Sequence, residues 1–347
     1  MRAAAETPEP PPPKRIEGPI LVTGATGFIG RRLVHRLLQE GYRPHLFVRP
    51  RSPLEEAWEG LPIERGDVTE LDTVHRAMRG VGTVFHLAAK VGDWGTEAEH
   101  QGATVRGTEH VLGEAARAEA RVLLASSLVV YGEQLGRTVC DEHLPLGRKA
   151  FGPYGRAKQA QERAARDLEA KRGLRVTIIR PANVFGPGSV TWVDAPVEVF
   201  RQGLPGLIGD GNRDAGLTYV DNVVDVFVRA AERPDASGRI YNANDENGVT
   251  WRRYFSELAD LVGAKRPKSL PAPVARIFAK GAKTAWDVLG REGRAPLTPE
   301  ALQILSAHHR VPIARARREL GYRPAVSYEQ AMDDVAKYLA ERGLSRR

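Results

Sequence analysis

The sequence predicts a doubly wound α/β fold, a parallel sheet covered by helices, followed by a smaller and mainly helical lobe. Three observations carry this. Short apolar runs alternate with helix-period segments from Pro19 to about Ile179. The runs are apolar throughout, the pattern of strands buried on both faces. A glycine-rich turn, "TGATGFIG" (23–30), joins the first run to the first helical segment.

The elements follow in order. "ILVT" leads into "FIGRRLVHRLLQEG", and "PHLFVR" leads through a loop to "LPIERGDV". "ELDTVHRAMRG" then precedes "VGTVFHLAA", and "ATVRGTEHVLGEAARAEA" precedes "RVLLASSLVV". "GRAKQAQERAARDLEAKRG" precedes "LRVTIIRP". Strand–helix alternation of this kind marks a parallel sheet. After Pro181 the rhythm breaks into shorter elements among Gly- and Pro-rich loops. The expected organisation is a proline-rich, solvated tail over 1–17, a dinucleotide-binding domain over 18–180 and a substrate lobe over 181–347. The lobe is expected to share one core with the first domain and to return strands to its sheet.

Composition narrows the function classes. Of 347 residues 42% are hydrophobic and 27% charged, ordinary for a soluble globular protein. No apolar stretch approaches bilayer-spanning length, and the start lacks the apolar segment of a secretory signal. The lone Cys140 excludes an internal disulfide and a multi-cysteine metal site; no metal is expected, and a cytoplasmic setting fits. Cys140 reads as a packed thiol rather than a nucleophile. The net charge of +8 is concentrated at the C-terminal end, where residues 263–347 hold 17 Lys/Arg against 8 Asp/Glu. No nucleic-acid motif accompanies them, so a solvated basic face is expected and no nucleic-acid partner.

The glycines clear space for an anion. Gly24 allows a tight turn out of the first strand, Gly27 lets a pyrophosphate approach the backbone, and Gly30 lets the helix lie close to the sheet. The helix start, with Thr26, Phe28 and Ile29 around it, aims unpaired N–H groups at phosphates. At the end of the second strand, "HLFVRPRS" has Arg49 where an acid would grip an NAD ribose. Arginine attracts a 2′-phosphate and binds it bidentately, so NADP(H) is preferred over NAD(H); the bland reading is an exposed arginine pair. Asp67 and Val68 end the third strand near the expected adenine. Leu87, Ala88 and Ala89 end the fourth and leave room for the cofactor backbone. His86 is read as structural.

"YGRAK" puts Tyr154 and Lys158 four apart on one helix face. A phenol titrates near 10, and a nearby ammonium together with the nicotinamide's own positive charge would lower it. Ser126 and Ser127 end the fifth strand; a serine hydroxyl there can hold the substrate oxygen while Tyr154 moves its proton.

These motifs resemble those of the extended short-chain dehydrogenases/reductases, the NAD(P)-dependent epimerase/dehydratase family. "TGATGFIG", "HLAA", "SSLVVYG", "YGRAK", "RPANVFGPG" and "YVDNVVD" stand in that family's order and rough spacing, over about residues 19–340. The resemblance implies a Rossmann-type sheet and a small-molecule substrate. It assigns Tyr154 as acid/base, Lys158 as ribose and pKa partner, and Ser127 rather than Ser126 as the hydrogen bonder at the oxyanion side. It implies that Pro181, Asn183 and Val184 cap the nicotinamide end, with Asn183 facing the substrate. One position departs: Thr104 stands where the family often has an asparagine, so a helix-positioning or water-holding amide is missing. Homodimers are common in the family and a homodimer is allowed here.

Within the family the chain looks more like the 3β-hydroxysteroid dehydrogenase branch and its bacterial 3-ketoacid-reducing cousins. "AAKVGDWG", "YNANDENGVTWRRYF" and "LTPEALQIL" carry this softer likeness. It implies hydride transfer to or from an apolar secondary alcohol or ketone, with Trp94 and Trp192 walling the pocket or simply packing. The alternatives are a sugar-nucleotide epimerase or dehydratase with tightly held cofactor, and a non-catalytic dinucleotide-binding regulator. A basic amphipathic helix over Val274–Leu289 reads as an inward-packing lid, or at most as a peripheral membrane contact.

Overall fold

The computed structural model describes residues 15–277, 279, 281 and 297–345. Seven parallel strands form the main sheet: β1 (Ile20–Thr23), β2 (His45–Val48), β3 (Ile63–Arg65), β4 (Thr83–His86), β5 (Arg121–Ala125), β6 (Val176–Pro181) and, after three short strands, β10 (Ile240–Ala243). Their spatial order is β10-β6-β5-β4-β1-β2-β3. The order reverses beside β1, so the carboxyl ends of β1 and β4 flank the crevice where such sheets bind ligands.

Consecutive residues of one strand pack on opposite faces, which is why the runs are apolar throughout. Val22, Phe85, Leu123 and Ile179 meet Leu33 and Leu37 of α1 (Phe28–Gln39) and Val223 and Phe227 of a later helix, Val220–Ala231. Leu21, Val84, Val122 and Ile178 face the other way. There they pack on Val74 of α2 (Leu71–Ala77), Val111 and Leu112 of α4 (Gly107–Arg117), and Ala165 of α5 (Pro153–Arg172). Between α2 and α4, α3 (Glu97–His100) runs through a wide π turn (Gln101–Arg106) into α4.

The later part of the chain builds a second core over the carboxyl edge of the sheet. β7 (Asn183–Phe185) pairs with β9 (Leu217–Tyr219), and β8 (Leu207–Ile208) pairs with β11 (Ser269–Leu270). Around them lie α6 (Ala195–Arg201), α8 (Trp251–Leu261), α9 (Pro299–Ser306) and α11 (Tyr328–Glu341), while α7 (Val220–Ala231) and α10 (Ala314–Leu320) pack back on the main sheet. Phe185, Tyr219, Tyr254 and Tyr328 pack edge-on or tilted at its centre.

One expectation needs adjusting. Residues 16 and 17, assigned to the solvated tail, pack on the sheet: Ile16 is buried, and the Glu17 carbonyl accepts the Thr83 hydroxyl at 2.7 Å. An apolar side chain and a strand-edge partner hold this segment against the sheet, which the adjacent prolines disguised. The helix expected over Val274–Leu289 falls largely outside the described residues, including Phe278, Ala282 and Trp286. Among the described residues no helix is long and apolar enough to cross a membrane, and no cluster of three His, Cys, Asp or Glu is placed to hold a metal.

Candidate active site

A cleft of about 600 Å³ runs along the carboxyl ends of β1, β2, β4, β5 and β6. Its floor at one end is the glycine turn. Gly24 has φ +71°, and a Cβ there would lie 2.7 Å from the Ala88 amide nitrogen. A Cβ on Gly30 would lie 2.1 Å from the Gly24 carbonyl oxygen, so only glycine lets α1 start this close to β1. Gly27 is exposed and is the N-cap of α1, with no side chain bonded to the first-turn amides. A bare cradle under an uncapped helix start fits a pyrophosphate. Thr26, Phe28 and Ile29 line the same end.

The second strand delivers Arg49 to the rim, exposed, and the third delivers Asp67 and Val68. Asp67 Oδ1 accepts the Thr69 amide at 2.9 Å, which ties the carboxylate into its own turn. Arg65 Nη1 donates to the Pro50 carbonyl at 2.8 Å and so shapes the loop that carries Arg49. Leu87, Ala88 and Ala89 line the middle, and Pro181, Asn183 and Val184 the far end.

β5 separates the two serines chemically. Ser126 is buried and donates to Glu162 Oε1 at 2.5 Å, where Glu162 also holds Arg180 in a buried ion pair. Ser127 lines the cleft. Tyr154 sits in the first turn of α5, half-buried, 6.1 Å from the His100 ring between centroids. Burial pushes its phenol above the ordinary value; a hydrogen bond with Ser127 works the other way, and nearby Glu300 adds to the rise. The lowering expected from sequence draws on Lys158 and on the nicotinamide's positive charge, and Lys158 alone does not supply it. The reason is geometric: Lys158 Nζ is 6.0 Å from the Tyr154 ring centroid and spends two donors on Ala125 O (2.7 Å) and Gln161 Oε1 (3.0 Å). Burial takes the Lys158 ammonium down to about 7, with Glu162 opposing.

Asn183 lines the cleft, but its Nδ2 donates to the Ala215 carbonyl at 2.7 Å and its backbone joins β7 to β9. Its side chain therefore ties the lobe together as well as facing the cleft. Trp94 and Trp192 both wall the cleft, and Trp192 also stacks on Trp251 with centroids 4.9 Å apart. Thr104 is buried, and its Oγ1 accepts the Lys90 amide at 3.0 Å.

Sequence reasoning missed Glu300, Ala301 and Ile304, which bring α9 into the wall. The Glu300 carboxyl is buried; Oε1 accepts the Gly155 amide at 3.0 Å, and Oε2 has no hydrogen-bond partner among the described residues. Burial and the nearby Asp93 push it up to about 8. From sequence the pocket lining is expected from residues 93–97, 183–200 and the C-terminal helices, with no residue of this helix named. Cys140 is buried in a side cluster, its thiol pushed up to about 11 by burial, which makes it a poor nucleophile.

Fold and cleft together define a dinucleotide-dependent oxidoreductase. The profile of the NAD dependent epimerase/dehydratase family matches residues 20–243, and the chain belongs to that family. It is 32% identical over 327 residues to the 2-alkyl-3-oxoalkanoate reductase of Stenotrophomonas maltophilia (strain K279a), covering 90% of this chain and 97% of that protein. It is 31% identical over 346 residues to the 3-beta-hydroxysteroid dehydrogenase of Mycolicibacterium neoaurum, covering 93% and 92%. In three dimensions it is similar to the dTDP-glucose 4,6-dehydratase of Streptomyces venezuelae solved with NAD, with a TM-score of 0.73 at 23% identity, over 93% of this chain and 98% of that one; this likeness concerns the fold.

Proposed function

We propose that this enzyme is an NADP(H)-linked reductase of a ketone on an apolar, sterol-like or 3-keto lipid substrate, working reversibly on the matching secondary alcohol. The observation that carries the reading is the division of one cleft into two chemistries. Arg49 stands at the ribose end, while Val91, Trp94, Val190, Trp192 and Ile304 surround the end beyond Tyr154. Val91 and Val190 are exposed, an apolar rim at the mouth. Lys90, Asp93, Ser189, Thr191 and Glu300 also line the cleft, but the two tryptophans and the valine rim give a hydrocarbon skeleton walls that desolvate it. Both curated relatives named above carry substrates of that apolar kind in their names.

When bound, the nicotinamide supplies the hydride. The residues of the chain do the rest. The uncapped amides of α1 hold the pyrophosphate, and Arg49 pairs with a 2′-phosphate. Lys158 has one N–H left for the ribose after Ala125 O and Gln161 are served. Ser127 holds the substrate oxygen, and Tyr154 delivers its proton to it as the carbonyl carbon is reduced.

The test is NADPH oxidation in the presence of 3-keto lipids, steroids or UDP-sugars, run beside Tyr154→Phe and Arg49→Ala. Consumption with the keto lipids is expected, abolished in Tyr154→Phe. Arg49→Ala should weaken NADPH binding by roughly tenfold with a smaller change for NADH. Interconversion of a UDP-sugar without net NADPH consumption overturns the reading.

A further inference from the structure

A buried polar chain starts at Lys158 and runs beneath the cleft. Lys158 Nζ donates to Gln161 Oε1 at 3.0 Å, and Gln161 Nε2 donates to Thr108 Oγ1 at 2.7 Å. Thr108 Oγ1 donates to the Thr104 carbonyl at 2.6 Å and lies 2.9 Å from His86 Nε2. His86 Nδ1 lies 2.7 Å from Thr23 Oγ1, which accepts the Ala88 amide at 3.4 Å. Every side chain along it is buried.

Donor counting leaves one arrangement. An ammonium only donates, so the Gln161 oxygen must face Lys158 and its NH₂ must face Thr108. The single Thr108 hydrogen goes to the Thr104 carbonyl, so its oxygen can only accept, and His86 must carry its proton on Nε2. His86 Nδ1 is then an acceptor for the Thr23 hydroxyl. This arrangement uses a neutral ring, the form that burial and Lys158 favour by taking the His86 pKa down to about 3.

We propose that Gln161 and Thr108 are positioning residues for the Lys158 ammonium: the Gln161 amide supplies an acceptor from α5, and Thr108 with His86 locks that amide in orientation. The inference rests on the assignment of Lys158 to the cofactor ribose. With Ala125 O and Gln161 Oε1 each taking one N–H, the ammonium keeps a third for the cleft. The neutral amine would keep none. A free donor toward the ligand therefore exists only in the charged state, which the Gln161 oxygen favours. The other titratable groups around Lys158 are Tyr154 and Glu162 on its own helix, His86 from β4, and Arg180 from β6, which is bonded to Glu162.

The test follows NADH binding by fluorescence from pH 5.5 to 9. NADH is the probe because it lacks a 2′-phosphate that would itself titrate. Wild-type affinity should fall as pH rises past the Lys158 midpoint. Gln161→Leu should move that midpoint down and Gln161→Glu should move it up, each by about one pH unit. Thr108→Val should shift it the same way as Gln161→Leu, and Thr108→Ser should restore it. A merely structural role would lower affinity or melting temperature in these variants and leave the midpoint in place, which overturns the proposal. If Gln161→Leu does not fold, Gln161→Glu and the Thr108 pair decide alone. If the wild type binds neither NADH nor NADPH, the underlying functional reading fails and takes the inference with it; binding with unmoved midpoints sinks the inference alone.

Discussion

Glu300 Oε1 accepts a hydrogen bond from the Gly155 amide at 3.0 Å, one residue beyond Tyr154. The contact spans 145 residues of sequence and docks α9 onto the first turn of α5. Two glycines make room for it: a Cβ on Gly152 would lie 2.0 Å from Glu300 Oε2, and one on Gly155 would lie 3.1 Å from Oε1.

The Glu300 pKa yields the first prediction. Its ordinary value of 4.5 rises to about 8, through burial first and Asp93 second, while the Gly155 amide and Arg156 pull it down. A carboxyl raised on folding contributes stability that is fully present below the unfolded value and lost as pH rises through the folded one. Wild-type stability should therefore decline between about pH 4.5 and 8, by a few kcal/mol in order of magnitude. Glu300→Gln keeps an oxygen for the Gly155 amide and cannot ionise. Thermal midpoints measured from pH 5 to 8.5 should show the variant gaining on the wild type as pH rises. Parallel curves would mean that the carboxyl is not buried as described.

The glycine turn separates folding from binding, and the second prediction uses that. Gly30→Ala places a methyl 2.1 Å from the Gly24 carbonyl carbon's oxygen, against backbone that has no room to retreat. It should cost about 3 kcal/mol or prevent folding. At Gly27 the nearest atom to a Cβ is the Gly24 oxygen at 3.1 Å, and the residue is exposed. Gly27→Ala should fold with a melting temperature close to wild type and bind NADPH at least tenfold more weakly, because the methyl occupies the pyrophosphate cradle. Unchanged NADPH affinity in folded Gly27→Ala would remove the cradle from the binding site.

What the sequence revealed and what it hid follow from range. The strands were legible because β4 and β5 are buried at every residue, and the resulting apolar runs need no partner to be recognised. The glycine turn and the Tyr154–Lys158 spacing are local and were equally legible. Glu300 was not: its carboxyl takes its meaning from an amide on a distant helix, and nothing beside it in sequence signals burial. The Gln161–Thr108–His86 chain was hidden for the same reason, since its members come from α5, α4 and β4. The Tyr154 shift went unread because burial, its largest cause, and Glu300 come from segments distant in sequence.

The third prediction concerns the ion pair beneath Ser126. Arg180 donates to both Glu162 oxygens, at 2.9 and 2.7 Å, and the two side chains are 2% and 3% exposed. Such a pair adds little over apolar packing, but removing one partner strands the other charge in a low dielectric. Glu162→Gln should destabilise the fold by about 3–5 kcal/mol, read as a lower denaturant midpoint with an unchanged slope. The same change should also act on Lys158, since Glu162 is the group that opposes its loss of charge. The pH midpoint of NADH binding should therefore fall in Glu162→Gln. Paired variants separate the two effects: Arg180→Met together with Glu162→Gln should recover much of the lost stability, because no charge is left unpaired, while the lowered midpoint persists. Recovery of both together would show that the carboxylate acts on Lys158 only through the packing of α5 against the sheet.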